Sequence, residues 1–581
     1  MSGSFGAIAG AAIGAHPDET PSGRRPLRQR LLAGEEVETA LIARIVNRPI
    51  TEKPVLPVDA ASIAGLAIGA AEDELGGALT EENLIVSDAV WCGRPDDIGA
   101  AHLEPDVRLL DAGVIQEEIP YLPWQQRRAT TTLATLRLAN GDRGLDLFFG
   151  RRTVDGQRVQ LWLVEAWDGY FSDRIDIADA LAVTLDPGLD EATAEIANVA
   201  SLLEGPALSA TFEGRGGSTG DARLTGKYVP VVYGAPFNVE PDLESAALQI
   251  DRWHVGALSS LAVIRDNGAP LLWDGRDWPS YEALATASVA PGFYTTALSI
   301  GRSKRGATAV GVITGDPVTT TDTAALILLA LARGPAALPD DLINAGSFGA
   351  LPAAKLDLFL KGDRSITVAE IFDAVLRPWN GWYGSLTDRR LSVGIVGAPE
   401  SQSRSFAVES AEIDDNSLGL QKFDQPPVFR LAVSGRRNWR PMTPDELVDF
   451  TQNPSLSQAI WERLQREEDV QEVSDLGVRQ RHRGAYDAIE RHGVIRGHFR
   501  DSADALSAAQ DLFKMLKRPR RFVSFETGLQ EIETRAGAYG VVYVDALDLQ
   551  AGRPALCQRR SFGQAARSIG MRLLVATDVS A

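Results

Sequence analysis

Hydrophobic and polar positions alternate with period two over much of the first third of the chain. In "TTLATLRLANGDRGLDLFFG", Leu136 and Leu138 alternate with polar neighbours, and the run stops at Asn140-Gly141-Asp142. An Asn-Gly step between alternating runs predicts a hairpin, because both residues accept the positive φ of a tight turn. "QRVQLWLVEAW" alternates again through Val159, Leu161 and Leu163, and Asp155-Gly156 predicts a second turn ahead of it. Repeated short strands between Leu84 and Leu163 predict a small β-barrel or sandwich.

Further on the period lengthens to that of a helix. "TDTAALILLALARG" predicts a helix from an N-cap at Asp322 to a C-cap at Gly334. Thr367 and Glu370 have capping-box spacing, Val368, Ile371, Phe372, Val375 and Leu376 share one face, and Pro378 ends the run. "GWYGSLTDRRLSVGIV" predicts a hairpin with Leu391, Val393 and Ile395 on one side. Thr443 with Glu446, and Pro444 at the first helical position, predict another short helix. "SLSQAIWERLQREED" predicts one that faces inward with Ile460, Trp461 and Leu464. "SADALSAAQDLFKMLKRP" places Leu506, Ala509, Leu512, Phe513 and Leu516 at helical spacing, and Pro519 stops it. "VFRLAVSGRRNW" and the last sixty residues return to strand, so β modules alternate with α+β modules.

One stretch breaks both periods. "LTGKYVPVVYGAPFNVEP" (Leu224 to Pro241) has strand formers at Val229, Val231, Val232 and Tyr233, with Pro230 among them. Gly226, Gly234 and Asn238 punctuate it, and Lys227 is its only base. A proline inside a strand suits an edge or a junction, where no ladder donor is needed. The stretch reads as a rigid connector between modules.

Composition narrows the class. A chain of 581 residues is too long for one core, and roughly three to five domains are expected. Net charge is −20 and the pI about 4.9, which argues against sequence-reading DNA binding. Such acidity keeps a protein soluble; it also suits the wall of a passage that DNA crosses without sticking. Two cysteines, Cys92 and Cys557, exclude a disulfide scaffold or multi-cysteine zinc module and fit a reducing cytoplasm. No run reaches the length of a membrane-spanning helix. In "GSFGAIAGAAIGA", Gly6, Gly10 and Gly14 are four apart, as in packed helices. The run is short and lacks a leading basic cluster, so it fails as a signal peptide. It reads first as a tail, disordered or ordered by assembly, and second as a packing helix. "HPDETPSGRRPLRQR" after it reads as a linker.

No catalytic signature emerges. The six histidines, His16, His102, His254, His482, His492 and His498, include no pair at zinc-protease spacing. His482, His492 and His498 lie in an arginine-rich stretch and read as solvated surface or interface residues. "GRGGSTG" and "GRSKRGATAVG" lack the order of a phosphate cradle, and no Gly-x-Ser-x-Gly elbow occurs. A paired-carboxylate glycosidase is not excluded by composition, but no pair stands out. Trp253, Trp273, Trp278, Trp379, Trp382 and Trp439 could line a sugar cleft and read more readily as core anchors.

The connector, the strand-rich text before it, "TVAEIFDAVLRPWNGWYGSLTDRRLSVGIVGAPE", "VFRLAVSGRRNW" and "DSADALSAAQDLFKMLKRPRRFVSFET" follow one another in an order that resembles tail-tip or baseplate-hub proteins of tailed bacteriophages. Gly226, Lys227, Pro230, Gly234, Asn238 and Trp439 match the recurring structural positions. Tyr228 stands where the family usually has proline, and Ala235 where a basic residue is common. The resemblance runs from Asn83 to Ala581, and the first 80 or so residues match poorly. It implies an α+β, β-rich multidomain protein, with split β-barrel domains of hub type combined with small α+β domains. The corresponding division is an extension (1–82), a β-rich hub barrel (83–223), the connector with a second β/α region (224–345), a helix-hairpin domain (346–400), a strand return with a helical insertion (401–500), and a C-terminal helix with its β return (501–581). It implies a non-enzymatic virion protein at the tail tip, assembled in the host cytoplasm. It also implies a homotrimer that closes the tube and gates DNA ejection. Its partners would be the distal tail or tube protein and other tip or fibre proteins, with DNA passing transiently through the lumen. No cofactor, metal or membrane span is implied. A receptor-binding fibre would favour internal repeats, and none is present. An envelope-degrading enzyme would need a convergent polar cleft.

Overall fold

The computed structural model describes residues 26–576, apart from 36, 50–81, 94–104, 133–134, 147–151, 154–156, 304–310, 363–365, 387, 415, 422–425, 452, 454, 546–548 and 565–566. The glycine-spaced start and the Asp155-Gly156 turn therefore lie outside the described residues. The end of the presumed linker does not. Leu27 and Leu31, four apart, turn one apolar face inward and form a short helix, α1 (Leu27–Leu32). Arg30 fastens it to Glu165 at 2.9 Å.

The first barrel is built from β1 (Thr39–Pro49), β2 (Glu82–Ser87), β3 (Asp106–Val107), β4 (Leu109–Asp111), β6 (Leu136–Ala139), β7 (Arg158–Glu165), β8 (Ile175–Pro187) and β9 (Glu191–Ala197), with β5 (Val114–Glu118) leaving it. Neighbours run β3-β2-β1-β7-β8-β9-β6-β4. The two ends of that order, β3 and β4, are separated in sequence by Arg108 alone. The sheet must therefore curl until its edges meet. One bent strand changes partner at Arg108, whose guanidinium is held by Asp106 and Asp142. Near-closure leaves little exposed edge to template aggregation.

Alternation decides which residues fill this barrel. Leu41, Ala43 and Ile45 of β1, Leu136 and Leu138 of β6, and Val159, Leu161 and Leu163 of β7 all join one core cluster. The opposite face of β1 and β7 is covered too. Ala40, Ile42, Trp162 and Val164 pack with Phe171 in a second cluster, with Trp162 and Phe171 edge to face at 5.1 Å. The hairpin expected at Asn140 does not form. Leu136–Ala139 pairs with β9 and β4 instead. The Asn140 side chain is buried and caps the loop internally: Nδ2 donates to Asp146 and to the Gly188 carbonyl, while Oδ1 accepts from Leu145 N–H. Long-range pairing occupies both edges of β6, which a local hairpin would not.

The middle of the chain holds β10 (Val231–Tyr233), a strand of the connector, followed by two small sheets that span residues 242–318 and pack around the fully buried Trp253. Helix α2 (Ala324–Arg333) is capped by Thr323, one residue later than expected, because Asp322 is engaged by Lys355. Next come β11 (Leu358–Leu360), α3 (Val368–Leu376) with both hydrogen bonds of the Thr367/Glu370 capping box, and the hairpin β12 (Gly381–Gly384) with β13 (Ser392–Ile395). Strands β14 (Phe406–Val408) and β15 (Gly419–Gln421) precede β16 (Val428–Gly435), the long strand of a four-stranded sheet. The helix expected after Thr443 is a single turn. Glu446 reaches back to Thr443 N–H at 2.9 Å, but it is also held by Arg440 at 2.6 Å, and the chain does not continue as helix. Helices α4 (Gln458–Gln465) and α5 (Ser502–Leu516) form as the periodicity predicts, although Ile460 points outward.

The chain ends in β17 (Arg520–Thr527), β18 (Tyr539–Val542), β19 (Arg553–Gly563) and β20 (Ser568–Ala576). Here the order is β14-β18-β19-β20-β17-β15. Both end strands come from one segment, and Ile413 between them bridges to Thr527, so this sheet curls toward closure as well. Strand β5 then adds to β19, with Val114 opposite Gly563 and Glu118 opposite Arg559. Only Ala112 and Gly113 separate β4 of the first barrel from β5. A single core cluster runs through both barrels. The fold is thus α+β and β-rich, with two large barrel-like sheets and several small ones. Among the described residues no helix is long and apolar enough to cross a membrane.

Candidate functional site

The connector is fastened at every turn. Pro230 is buried, and its missing N–H leaves no ladder bond unmade. Strand β10 pairs antiparallel with β11, Val231 opposite Leu360. Val232 N–H donates to Nδ1 of His254 at 2.9 Å. Burial, and then Arg252, push the His254 pKa down to about 4, so the imidazole stays a neutral acceptor. Gly234 has φ +75°, and a Cβ there would lie 2.0 Å from the Leu356 carbonyl. Ala235 N–H donates to Asp357 at 2.7 Å, and Arg500 donates to the same oxygen at 3.0 Å. Asn238 also has positive φ, +58°, and is fully buried. Its N–H donates to Asp316, and its amide donates to Asn438 Oδ1 at 2.9 Å and the Arg440 carbonyl at 2.6 Å. Asn438 in turn donates to the Leu464 carbonyl at 2.7 Å. The connector therefore ties the small sheets, β11, the end of β16 and α4 to one another.

Beside it opens a cavity of about 930 Å³. Its walls are β11 with Lys361, the polar face of α3, the chain just past β16, and residues 492–498. On α3 the inward-facing apolar stripe leaves Glu370, Asp373 and Arg377 together on the cavity side, at steps of three and four. Past β16, the Arg437 guanidinium lies 4.2 Å from the centre of the Trp439 ring. His498 is parallel to that ring, with centres 6.0 Å apart, and Phe359 meets it edge on. His492 stacks on Trp124 at 4.1 Å.

His498 is 8% exposed, which corrects its reading as a solvated residue. It faces the core because Arg-Gly-His-Phe in this sheet turns His498 and Phe499 inward beside Trp439 and Trp379. Burial, then Arg437 and Arg496, push its pKa down to about 4. Arg437 is also pushed down, by burial and then by Arg496. Burial raises Asp373, whose carboxylate accepts Arg127 N–H at 3.0 Å.

Of the residues that the sequence singles out, Trp439 lines the cavity, and Asn238 sits behind it through Asn438 and Arg440. Gly234 and Pro230 shape the strand that carries β11. Gly226, at φ +77°, and Lys227 form an exposed turn paired with Phe212 and do not line the cavity. Trp253, Trp379 and Trp382 are buried, whereas Trp273 is 55% exposed. Lys361, Asp373 and Arg377 carried no motif. The polar face of the α3 periodicity is the one signal that could have found two of them. Among the described residues no group of three His, Cys, Asp or Glu side chains is placed to hold a metal ion. Cys557 is free and buried in the barrel core.

No protein-family model matches the sequence, and no curated protein matches it. Among solved structures, the chain is similar to a chain of the virion of a native gene transfer agent particle, with TM-score 0.37 and 10% identity over 61% of this chain and 85% of that one. It is similar to a tail protein from Neisseria meningitidis MC58, with TM-score 0.32 and 9% identity over 81% and 93%. It is also similar to the 43 kDa tail protein of prophage MuSo2 from Shewanella oneidensis, with TM-score 0.32 and 7% identity over 79% and 91%.

Proposed function

We propose that the chain is a structural protein of a bacteriophage-type tail and forms the hub at its tip. As a homotrimer it closes the distal end of the tail tube, anchors tip or fibre proteins, and gates the exit of DNA. The observation that carries this reading is the pair of strongly curled, barrel-like sheets in one chain, coupled by β5, which leaves one sheet and enters the other after two residues. Three copies related by a threefold axis set six barrels in a ring, and a ring repeats one heterologous contact without an open end. The ordered resemblance of the connector and the text after it to hub proteins points the same way.

The charge supports a conduit. At a net −20, a channel lined by this chain repels phosphate and lets DNA slide. Mass measurement of the purified chain tests the assembly: three times 62.4 kDa is expected over a wide concentration range. A monomer that persists at high concentration, or a dimer, would overturn the ring.

A further inference from the structure

The charged groups of the cavity beside the connector are not all paired directly. Its acids are engaged within the chain. Glu370 accepts Thr367 N–H at 3.0 Å in the capping box. Asp373 accepts Arg127 N–H. Glu240 pairs with Arg440 at 3.2 Å. Three of its bases are engaged as well: Lys361 with Asp242 at 3.1 Å, Arg440 with Glu446, and Arg496 with Glu467 at 3.4 Å. Arg377 and Arg437 are different. Among the described residues neither has a carboxylate within 4.0 Å. Both are partly buried, on separate walls of the same cavity, and the Arg377 Nε has no hydrogen-bond partner. Their nearest charge partners act only at longer range, Asp373 on Arg377 and Glu467 and Glu468 on Arg437, so neither guanidinium is paired directly with a carboxylate, although the chain carries a net charge of −20.

We propose that this cavity binds a short acidic peptide segment of a neighbouring protein, with Arg377 and Arg437 receiving its carboxylates. Guanidinium groups suit this task because their planar donors match a carboxylate in pairs. At about 930 Å³ the cavity is larger than a lone inorganic anion requires and falls in the range of ligands the size of a short peptide. Its apolar lining, Leu358, Phe359, Ile371 and Ile495, receives the aliphatic stems and backbone of such a segment. A sugar would need a bare aromatic face. Trp439 already carries Arg437 and His498, and Trp124 carries His492. The acidic remainder of the molecule repels the same segment, so attraction is confined to this opening. This inference is independent of the tail reading.

The test is fluorescence anisotropy of labelled hexaglutamate with the full-length protein at roughly 0.05 and 0.15 M salt. Saturable binding is expected at both, weaker at the higher. Arg377→Gln combined with Arg437→Gln is expected to weaken it ~tenfold or more, as for a lost charge-assisted contact. Arg521→Gln, an exposed arginine outside the cavity, is expected to leave it unchanged. Arg437→Gln alone is the second variant, compared at unchanged melting temperature, and is expected to give part of the loss. The proposal is overturned by an absence of saturable binding, by equal binding of hexaglutamine, by full binding in the double variant, by equal loss in Arg521→Gln, or by an oligogalacturonate that binds where hexaglutamate does not.

Discussion

Positive φ explains why two of the residues marked in the connector were legible. Glycine and asparagine are the residues that tolerate the left-handed region, so their placement in an otherwise strand-forming run announced turns at Gly234 and Asn238. Gly234→Ala is expected to destabilise the protein by about 2 kcal/mol or more, since the conformational cost adds to the clash with the Leu356 carbonyl. Urea unfolding measures this, and a change below about 0.5 kcal/mol would contradict it. The burial of His498 was not legible, because its stacking partner is 59 residues away and the stretch around it is rich in arginine. Its folded pKa, about 4, lies below the unfolded value near 6.5. The unfolded chain therefore takes up the proton first. Stability from the neutral imidazole is complete above pH 6.5 and is lost as pH falls toward 4. Between pH 6.5 and 5, wild type is expected to lose about 1.5 kcal/mol more than His498→Gln, the slope approaching about 1.4 kcal/mol per pH unit below the unfolded pKa. Equal losses in the two proteins would contradict this. Other buried groups, among them Asp357 and Asp373, shift in the opposite sense, so the comparison between the two proteins is the informative one.

At the scale of elements, the sequence announced what an element does with its own residues and missed what distant residues do to it. The α3 helix was fully legible, since the capping box and the apolar face are both local. Thr367→Ala is expected to cost about 1 kcal/mol, read as a lower urea midpoint with an unchanged slope. A midpoint that does not move would contradict the role of the cap. The same Thr-x-x-Glu signal at Thr443 produced one turn, because Arg440 draws Glu446 toward Glu240 and the apolar residues after it, Leu447 and Phe450, pack with α4 instead. Asn140 illustrates the opposite error. Its type suits a hairpin, yet β6 finds better burial between β9 and β4. The cavity was the least legible feature, since residues from 123 to 498 meet in it and only the spacing on α3 is periodic.

For the whole molecule, a β-barrel was readable from alternation between Leu84 and Leu163, but its extent was not. Strand β1 lies upstream of that text and pairs in the middle of the sheet. The second barrel draws on segments at 406–421 and 520–576, with β5 added from near residue 114. Partner exchange by one bent strand leaves no periodic trace, because each half alternates normally and only the partner changes. The proposed ring of three copies also makes an electrostatic prediction: its lumen is acidic. An assembled structure with a basic or neutral channel would remove the conduit argument.

Antibody labelling of purified particles under the electron microscope tests the hub reading most directly. Label confined to the distal tail tip, or exposed there once the tail is disrupted, is the result this account predicts. Label along side fibres, or no label after disruption with a validated antibody, would contradict it.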